Sequence, residues 1–338
     1  MTSDLQPYLD AIDQELRAVI SPPGEAVAPL YRMMAYHLGW LDEDLRPAEA
    51  YRGKRLRPLL CLLTCQAAGG DWHKALPAAA ALELVHNFSL MHDDIEDKSP
   101  TRRGRRTVWT VWGVAHGVNV GDAMLVIARG ALSTLLDLGV PHARVLAAIQ
   151  SLDRTCLRLC EGQYLDMAYQ GRVDLSEEAY VDMIGAKTAA LLATSTELGA
   201  LVAGSLGTAD WYRQFGQSVG LAFQMIDDVL GIWGDPETTG KPTASDIRER
   251  KMTLPVIYAL RESDQAPALA ALYARQGQGD DVASIVELLD HTAARDYVQR
   301  RAEEHQTAAL AALDAAAPLP PASDCLRDLT TSLTTRLR

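Results

Sequence analysis

A group of closely spaced carboxylates is the feature of this sequence most capable of chemistry. Asp93, Asp94 and Asp97 lie in the segment HDDIED. On a helix, Asp93 and Asp97 share one face with their carboxylates roughly 6 Å apart, whereas Asp94 lies about 100 degrees round. Oxygen ligands with no His or Cys ligand beside them suit Mg²⁺. A single group of this kind is more often an exposed acidic helix end.

A second acidic pair makes a metal site the stronger interpretation. Asp227 and Asp228 lie in VGLAFQMIDDVLG, with Gln224 three residues before Asp227 on the same helix face. Both acidic pairs follow an apolar helical run and precede a basic loop, so we hypothesise two acidic helix ends facing one cavity. A magnesium cluster that holds a diphosphate needs carboxylates on one side and basic side chains on the other.

Basic side chains of the required kind occur in separate clusters. They are Lys54, Arg55 and Arg57; Arg102 and Arg103; Lys187; Lys241; and Lys251. Together they could form two anion sites, because Arg forks match phosphate oxygens and Lys acts as a mobile point charge. The run RRGRR at 102–106 also occurs in nucleic-acid binders. A single short run in a chain of net charge −12 argues against that partner.

The elements that must position these residues are predicted to be helices. The chain is 48% hydrophobic with only three Phe, and β-branched residues do not gather into short, evenly spaced runs. Apolar periodicity predicts helices over 4–20, 25–41, a stretch ending at Gly69 and Gly70, 76–97, 105–115, 119–138, 141–170, 176–204 and 208–233. Residues 234–246 are the one long loop in this part, and no domain boundary is evident.

The N-terminal segment MTSDLQPYLDAIDQEL predicts a cytoplasmic protein. It is acidic where a signal peptide would have a basic and then an apolar segment. No uninterrupted apolar run reaches the roughly 18 residues of a membrane-spanning helix, so we expect no stable membrane insertion.

Taken in order, these motifs resemble those of the trans-isoprenyl diphosphate synthases, the polyprenyl synthetase family. The matching motifs, within residues 50–260, are Arg52-Gly53-Lys54-Arg55-Leu56-Arg57-Pro58; Asp93-Asp94-Ile95-Glu96-Asp97 with Arg102-Arg103-Gly104; Lys187-Thr188; Phe223-Gln224-Met225-Ile226-Asp227-Asp228; and Gly240-Lys241, Asp246 and Lys251. The resemblance implies an all-α isoprenoid synthase domain over residues 1–338, a helical bundle around a deep central cavity, and a homodimer.

The resemblance also implies a role for each matching residue. Asp93, Asp97 and Asp227 would be the principal ligands of Mg²⁺, with three ions expected, and Asp94, Asp228 and Asp246 would support them. The allylic diphosphate would be held by Arg102, Lys187, Gln224, Lys241 and Lys251, and Thr188 would also bind substrate. Isopentenyl diphosphate would be held by Lys54, Arg57, His86 and Arg103. The residues expected to act in catalysis are Asp93, Asp94, Asp97, Arg102, Lys187, Asp227 and Lys241.

The implied reaction is the head-to-tail condensation of isopentenyl diphosphate with an allylic prenyl diphosphate. Metal ions and bases would stabilise the departing diphosphate, and the isopentenyl double bond would attack the allylic cation before a proton is lost. No protein nucleophile is required. The released diphosphate could accept the proton, so a chain without a Ser/His/Asp arrangement still fits this chemistry.

The chain departs from the family pattern at three positions. Arg52 stands where the family usually has Gly, and Arg106 stands where it commonly has Pro. Gly231 replaces the last Asp of the second acidic motif, giving DDVLG. Because Asp227 remains, we expect weaker support of the metal and retained activity.

Product length is predicted from the residues that precede the first aspartates. Ser89, four residues before Asp93, is small, whereas Phe88 is bulky and about 7.5 Å deeper along the helix. The resemblance places the floor of the chain-length pocket at these two positions. One Phe beside one Ser favours twenty carbons, geranylgeranyl diphosphate, with the fifteen-carbon farnesyl diphosphate next. Phe88 could instead pack against a neighbouring helix.

Two other functions stay open. A terpene cyclase of the same fold would also ionise an allylic diphosphate, but it would not need Lys54, Arg57 and Arg103 for a second diphosphate. A non-catalytic subunit of a heteromeric synthase would lose metal ligands, and Gly231 is the one hint of such a loss.

Overall fold

The computed structural model describes residues 2–51, 53–235, 244–274 and 281–334, and these are mostly helical. The helices are α1 (Thr2–Val19), α2 (Ala28–His37), α3 (Leu56–Ala67), α4 (Leu76–Glu96), α5 (Val108–Trp112), α6 (Val114–Ser133), α7 (His142–Tyr169), α8 (Glu177–Ile184), α9 (Ala190–Ala203) and α10 (Ala209–Trp233), followed by Ser245–Arg248, Leu254–Glu262, Ala266–Tyr273, Val282–Asp290, Ala294–Ala315 and Ala322–Thr334. Short 3-10 helices span Glu25–Val27, Trp72–Ala75 and Thr134–Leu136. The all-α prediction is confirmed.

A β-hairpin follows α4 where the sequence predicted charged turn and then helix. Strands β1 (Thr101–Arg102) and β2 (Arg105–Arg106) pair antiparallel with Arg102 opposite Arg105. The two turn residues, Arg103 and Gly104, have φ of 53° and 74°. A two-residue loop with positive φ at both residues has a backbone twist that matches the twist of the two paired strands. The predicted helix over 105–115 is therefore wrong at its start, and α5 begins at Val108.

The described part of the predicted loop over 234–246 ends before residue 246, because a helical turn begins at Ser245. Residues 236–243, including Lys241, lie outside the described residues, and so does Arg52.

The described residues form two compact units. The first contains Met1–Arg154, Thr194–Asp210 and Pro318–Ser323, and the second contains Thr155–Ala193, Trp211–Ala317 and Asp324–Arg338. The predicted single domain over 1–338 stays a prediction. In the first unit, α4 packs against α1, α3 and α6. Residues 78–82 of α4 are at most 1% exposed, as expected of a helix that is apolar on every side.

The second unit has its own apolar core, built around α10. Buried side chains of α10, including Met225, Ile226 and Val229, pack with those of the helix Leu254–Glu262 and its neighbours. This apolar packing fixes the position of α10 and therefore of the aspartates near its end.

Two glycines set how closely α6 approaches the acidic end of α4. A Cβ at Gly117 would lie 2.8 Å from Cδ1 of Ile95, and a Cβ at Gly121 would lie 2.3 Å from Nε2 of His92. The two glycines are one turn apart and therefore share a face. The helix that carries Asp93 and Asp97 is held by this close contact.

Gly121→Ala is expected to destabilise the protein by about 1–3 kcal/mol, because His92 must move from a closely packed site. Gly130→Ala in the same helix is the control, since a Cβ there meets nothing within 4 Å. The control is expected to stabilise by about 0.5–1 kcal/mol through helix propensity. Equilibrium urea unfolding measures both changes. Equal stability of the two variants would contradict the importance of this contact.

Candidate active site

The end of α4 separates its three aspartates into two environments. Asp93 and Asp97 are half-buried, whereas Asp94 is only 2% exposed. Nε of Arg102, in β1, donates to Oδ1 of Asp94 at 2.7 Å. Asp94 therefore holds the hairpin against α4, while the two flanking carboxylates share the other face.

The ion pair of Asp94 does not abolish the cost of burying it. Burial raises the pKa of Asp94 to about 6, and the Arg102 guanidinium only partly opposes that shift. Burial therefore outweighs the attraction of the partner. This carboxylate is tied to the protein rather than presented to solvent.

Basic residues predicted to bind isopentenyl diphosphate gather in the first unit. The guanidinium of Arg103 lies over Gly53, where a Cβ would be 2.8 Å from Nη2. The pKa of His86 is held well below its usual range by burial and then by Arg57 and Arg103. His86 is thus neutral at pH 7 and has a ring N–H to donate. Lys54, in the same loop as Gly53, is exposed.

His37 joins this cluster, although sequence reasoning missed it. Burial, followed by Arg103 and Arg102, lowers the pKa of His37 to about 3. The His37 ring and the Tyr51 side chain line one shallow pocket with the arginines of the hairpin. His37 follows no motif, and α2 brings it to the pocket from more than sixty residues before the hairpin.

Arg55 and Arg105, which lie in the same loop and hairpin as the basic cluster, bind groups of the protein itself. Arg55, which has φ of 49°, donates to Oε1 of Glu83 at 2.6 Å and also pairs with Asp13. Arg105 donates to the backbone carbonyl of Tyr36 at 2.9 Å. These contacts pin the loop and the hairpin, and they account for part of the basic run that resembled a nucleic-acid motif.

Lys187 lies in a π-helical turn, Gly185–Ala189, between α8 and α9. Its Nζ bonds to Oδ2 of Asp166 in α7 at 2.6 Å. A Cβ at Gly162, one turn before Asp166, would lie 2.3 Å from the Lys187 backbone nitrogen. α7 thus contacts Lys187 twice: Gly162 allows the Lys187 backbone to approach closely, and the Asp166 carboxylate binds the Lys187 side chain.

A chain of buried hydrogen bonds ties this turn to α10. Thr188 Oγ1 donates to Gln224 Oε1 at 2.8 Å, and Gln224 Nε2 donates to Asp228 Oδ1 at 2.9 Å. Asp228 Oδ2 accepts from the Tyr180 hydroxyl at 2.6 Å and from the Leu254 backbone N–H at 3.1 Å. Asp228 is 3% exposed and turned towards protein donors, whereas its neighbour Asp227 is half-buried.

Asp246, another predicted residue of the second unit, lies against Gly231. Asp246 is buried, and a Cβ at Gly231 would lie 2.0 Å from its Oδ2. The backbone N–H of Lys251 donates to the carbonyl of Asp246 at 2.9 Å, and Nζ of Lys251 pairs with Glu249 at 3.1 Å. The space left by the missing third aspartate of this motif is filled by another carboxylate.

Asp166 and Tyr180 are contacts of the site that the sequence did not reveal. Their partners Lys187 and Asp228 are 21 and 48 residues away along the chain. A weak signal existed in the Gly162 and Asp166 spacing, which places both residues on one face of α7.

The donor set fits a divalent cation that keeps part of its water shell. Among residues 2–51, 53–235, 244–274 and 281–334, no three His, Cys, Asp or Glu side chains form a group able to hold a metal ion by themselves. Mg²⁺ is commonly bound by one or two carboxylates together with waters and substrate phosphates. Asp93 and Asp97 on one helix face of the first unit are carboxylates of this kind, and Asp227 is another in the second unit.

Comparisons with known proteins cover most of the chain. A family model described as polyprenyl synthetase matches residues 40–289. The (2E,6E)-farnesyl diphosphate synthase of Mycobacterium tuberculosis is 39% identical over 321 residues, which cover 89% of this chain and 88% of that protein. The geranylgeranyl diphosphate synthase of the same organism is 43% identical over 296 residues, covering 86% and 83%.

Solved structures match over nearly the whole chain. A polyprenyl synthetase from Streptomyces coelicolor A3(2) has a TM-score of 0.87 and 35% identity, covering 99% of this chain and 98% of that one. A geranylgeranyl pyrophosphate synthase from Corynebacterium glutamicum, complexed with isoprenyl diphosphate and magnesium, has a TM-score of 0.83 and 30% identity, covering 98% of each.

The buried carboxyl of Asp228 makes stability depend on pH. Burial, and then the nearby Asp246, raise the pKa of Asp228 from 3.8 to about 7, while its hydrogen bonds oppose the shift. The folded protein therefore keeps a proton that the unfolded chain has released. Stability from this group falls as pH rises from about 4 to about 7.

Tyr180→Phe is expected to destabilise the protein by about 1–3 kcal/mol at pH 8, because an ionised buried carboxylate loses a donor. The loss is expected to be smaller at pH 5.5, where Asp228 is protonated. Tyr164→Phe is the control, because Tyr164 is 66% exposed. Urea unfolding at both pH values measures the difference. An equal loss at the two values would show that Asp228 does not titrate as inferred.

Proposed function

The chain belongs to the polyprenyl synthetase family, and from that premise we propose that it joins isopentenyl diphosphate to an allylic prenyl diphosphate, head to tail, with Mg²⁺. The observation that carries the proposal is the basic cluster of the first unit. Arg103 lies over Gly53, and burial, followed by Arg57 and Arg103, depresses the pKa of His86. Lys187 belongs to the second unit, so the chain has further basic residues for a second diphosphate.

The basic cluster suits an anion with several oxygens. Arg57 and Arg103 present fork-shaped donors, Lys54 adds an exposed point charge, and the neutral His86 adds a donor without further charge repulsion. We assign isopentenyl diphosphate to this cluster. Arg102, Lys187, Thr188, Gln224, Lys241 and Lys251 are assigned to the allylic diphosphate.

Asp93, Asp97 and Asp227 are assigned to Mg²⁺, of which three ions are proposed. Bound Mg²⁺ supplies positive charge to the diphosphate that leaves the allylic substrate. Asp94, Asp228 and Asp246 act as supports. The internal bonds of Asp94 and Asp228 fit that division, because each holds a neighbouring element in position.

The reaction needs no nucleophile from the protein. The allylic C–O bond breaks and its electron pair leaves with the diphosphate, whose charge Arg102 and Lys187 stabilise. The isopentenyl double bond then forms the new C–C bond, and a proton leaves the adjacent carbon for the released diphosphate. The residues bind and orient the two substrates and keep them together.

The function is tested by measuring how one substitution in the basic cluster changes the KM for each of the two substrates. Arg103→Ala is expected to raise the KM for isopentenyl diphosphate by about 10- to 100-fold, because a charge-assisted bond is lost. The KM for the allylic primer should change much less. Arg46→Ala is the control for the loss of an arginine, since Arg46 is exposed and pairs with Asp44 at 3.5 Å. Conversion of geranylgeranyl diphosphate alone to a hydrocarbon, without consumption of isopentenyl diphosphate, would replace this proposal by a cyclase.

Loss of a proposed metal ligand should abolish most activity. Asp93→Ala and Asp227→Ala are each expected to lower kcat by about a hundredfold or more, because charge stabilisation at the departing diphosphate is lost. Asp182→Ala, at an exposed site on α8, should leave kcat unchanged. Steady-state assays with varied MgCl₂ measure the effect. Retention of more than about a tenth of the rate by either ligand variant would refute the assignment.

The proposed product is geranylgeranyl diphosphate, with farnesyl diphosphate next. Phe88 is 6% exposed, and its ring meets the edge of the His92 ring with centroids 5.7 Å apart. Ser89 is half-buried, and its Oγ donates to the carbonyl of His86 at 2.8 Å. A bulky, supported side chain beside a small one supports an intermediate length.

Phe88→Ala is expected to shift products beyond twenty carbons without abolishing turnover, because the pocket floor is opened away from the aspartates. Ser89→Ala is the matched control, since it keeps the neighbouring side chain small. Chromatography of the dephosphorylated products measures the distribution. An unchanged distribution for Phe88→Ala would mean that the floor lies elsewhere.

A second copy of the chain is the proposed partner, and a cytoplasmic location without membrane insertion is proposed with it. Val114, Val118 and Val126 are 51%, 41% and 69% exposed, within about a third of the circumference of α6. By length and composition alone, Val114–Leu136 could also cross a membrane, with a mean hydropathy of 1.2. A covering partner would hide this apolar side.

Val126→Glu is expected to convert a dimer into a monomer, because a carboxylate would be buried at the covered face. Asp182→Glu, on an exposed residue of α8, is the control. Light scattering after size exclusion measures the mass. Co-flotation of the wild-type protein with lipid vesicles would instead favour a membrane as the cover.

A further inference from the structure

Arg250 has a backbone conformation that few residues with a side chain adopt. Its φ is 53°, in the left-handed region, where Cβ is crowded by the backbone. Its N–H donates to the carbonyl of Ile247 at 3.1 Å, and its carbonyl accepts from the N–H of Gly171 at 3.1 Å. The next residue is Lys251, which is proposed to bind the allylic diphosphate. The direction in which the chain enters Lys251 therefore depends on a strained residue.

The guanidinium of Arg250 is held by two residues from other parts of the second unit. Its Nη2 lies 3.7 Å from Oδ2 of Asp281, and the two side chains are 18% and 14% exposed. The guanidinium also lies over the ring of Tyr273, 5.4 Å from the ring centroid. Loss of one partner from a pair of this kind would leave a poorly solvated charge. These contacts therefore oppose relaxation of the left-handed backbone.

Asp281 lies at a helix start but does not cap the helix with its side chain. It is the N-cap residue of the helix Val282–Asp290, where an Asp side chain ordinarily accepts from a backbone N–H of the first turn. Its side chain makes no such bond. Among the residues that the structure describes, its Oδ2 is buried without a hydrogen-bond partner. The carboxylate therefore faces Arg250 rather than the helix.

Tyr273 connects Arg250 to the backbone of Lys251. The Tyr273 ring lies under the guanidinium, and the Tyr273 hydroxyl donates to the carbonyl of Lys251 at 3.5 Å. Tyr273 is only 2% exposed, so the surrounding packing fixes its ring. The N–H of Lys251 donates to the carbonyl of Asp246 at 2.9 Å. Both backbone polar groups of Lys251 are thus bound, one of them by a residue that Arg250 contacts.

The same combination occurs beside Lys54 in the first unit. Arg55 follows Lys54 and has φ of 49°, and its guanidinium bonds to Oε1 of Glu83 at 2.6 Å and pairs with Asp13. In each unit, an arginine with left-handed φ and internal ion pairs lies beside a lysine proposed to bind a diphosphate. Backbone strain that the surrounding contacts maintain is common at binding sites.

We propose that Arg250 is a positioning residue for Lys251. Its contacts with Asp281 and Tyr273 keep residue 250 in the left-handed conformation, and this conformation sets the orientation of Lys251 for the allylic diphosphate. Arg250 acts through Lys251 and not by contact with the substrate. The inference rests on the proposed function and deepens its allylic site.

A double-mutant cycle between Arg250 and Lys251 tests the proposal. Arg250→Ala is expected to raise the KM for the allylic primer by about tenfold, because Lys251 is displaced from its productive position. The KM for isopentenyl diphosphate should stay at the wild-type value. In a Lys251→Ala protein, Arg250→Ala should change the allylic KM by less than about twofold, since the two residues act through one contact. An undiminished effect of Arg250→Ala in the Lys251→Ala protein would overturn the proposal.

Further variants separate the backbone of residue 250 from its side chain. Arg250→Gly removes the guanidinium but allows left-handed φ without a steric cost, so it should raise the allylic KM less than Arg250→Ala does. Asp281→Asn keeps Arg250 and weakens its ion pair, and it should raise the allylic KM even if Arg250→Ala does not fold. Arg261→Ala, at an exposed position of the helix Leu254–Glu262, is the control. Equal allylic KM values for Arg250→Gly and Arg250→Ala would contradict the role of the backbone.

Titration calorimetry with inorganic pyrophosphate and MgCl₂ repeats the cycle without turnover. Arg250→Ala should weaken pyrophosphate binding, with no further loss when residue 251 is already Ala. An equal rise of the KM for both substrates would indicate general damage to the fold and would refute the positioning role. Failure of the proposed function would look different. Wild-type protein would then not consume isopentenyl diphosphate, whereas coupling between the two positions in pyrophosphate binding would still support the inference.

Discussion

Neighbouring residues on an α-helix point about 100 degrees apart, and this constraint divides each aspartate pair. Asp93 and Asp227 are half-buried, whereas Asp94 and Asp228 turn inward and are 2% and 3% exposed. A pair of adjacent carboxylates therefore cannot act as one unit on one side. The outward member can contact a cation, and the inward member must find donors inside the protein.

The inward aspartates position the bases. Asp94 bonds to Arg102 and so fixes the hairpin whose tip carries Arg103. Asp228 orients Gln224, which accepts from Thr188 beside Lys187. Each outward acidic group thus has an inward neighbour whose oxygens accept hydrogen bonds from the protein. The arrangement explains why buried, costly carboxylates are kept beside the site.

The sequence predicted the helices far better than the hydrogen-bond partners of the candidate site residues. Apolar periodicity specified α4 and α10 to within a residue, because both bury wide apolar surfaces. The hairpin was missed, since its turn depends on positive φ at Arg103, which no hydrophobic pattern reports. The inward roles of Arg55 and Asp228 were missed because their partners are distant in sequence. Helix content follows from local pattern, whereas hydrogen-bond partners depend on tertiary packing.

The position of Lys187 depends on the number of residues in the π-helical turn Gly185–Ala189. A turn with i→i+5 bonding contains about one residue more than an α-helical turn. It is confined by Gly162 on one side and by Gly220 on the other, where a Cβ would lie 2.5 Å from Ala189 Cα. Removal of one residue would turn α8 and α9 into one continuous helix, rotating Lys187 by about 100 degrees relative to one of its flanks. An insertion or deletion in this turn would therefore displace Lys187 even if every side chain were kept.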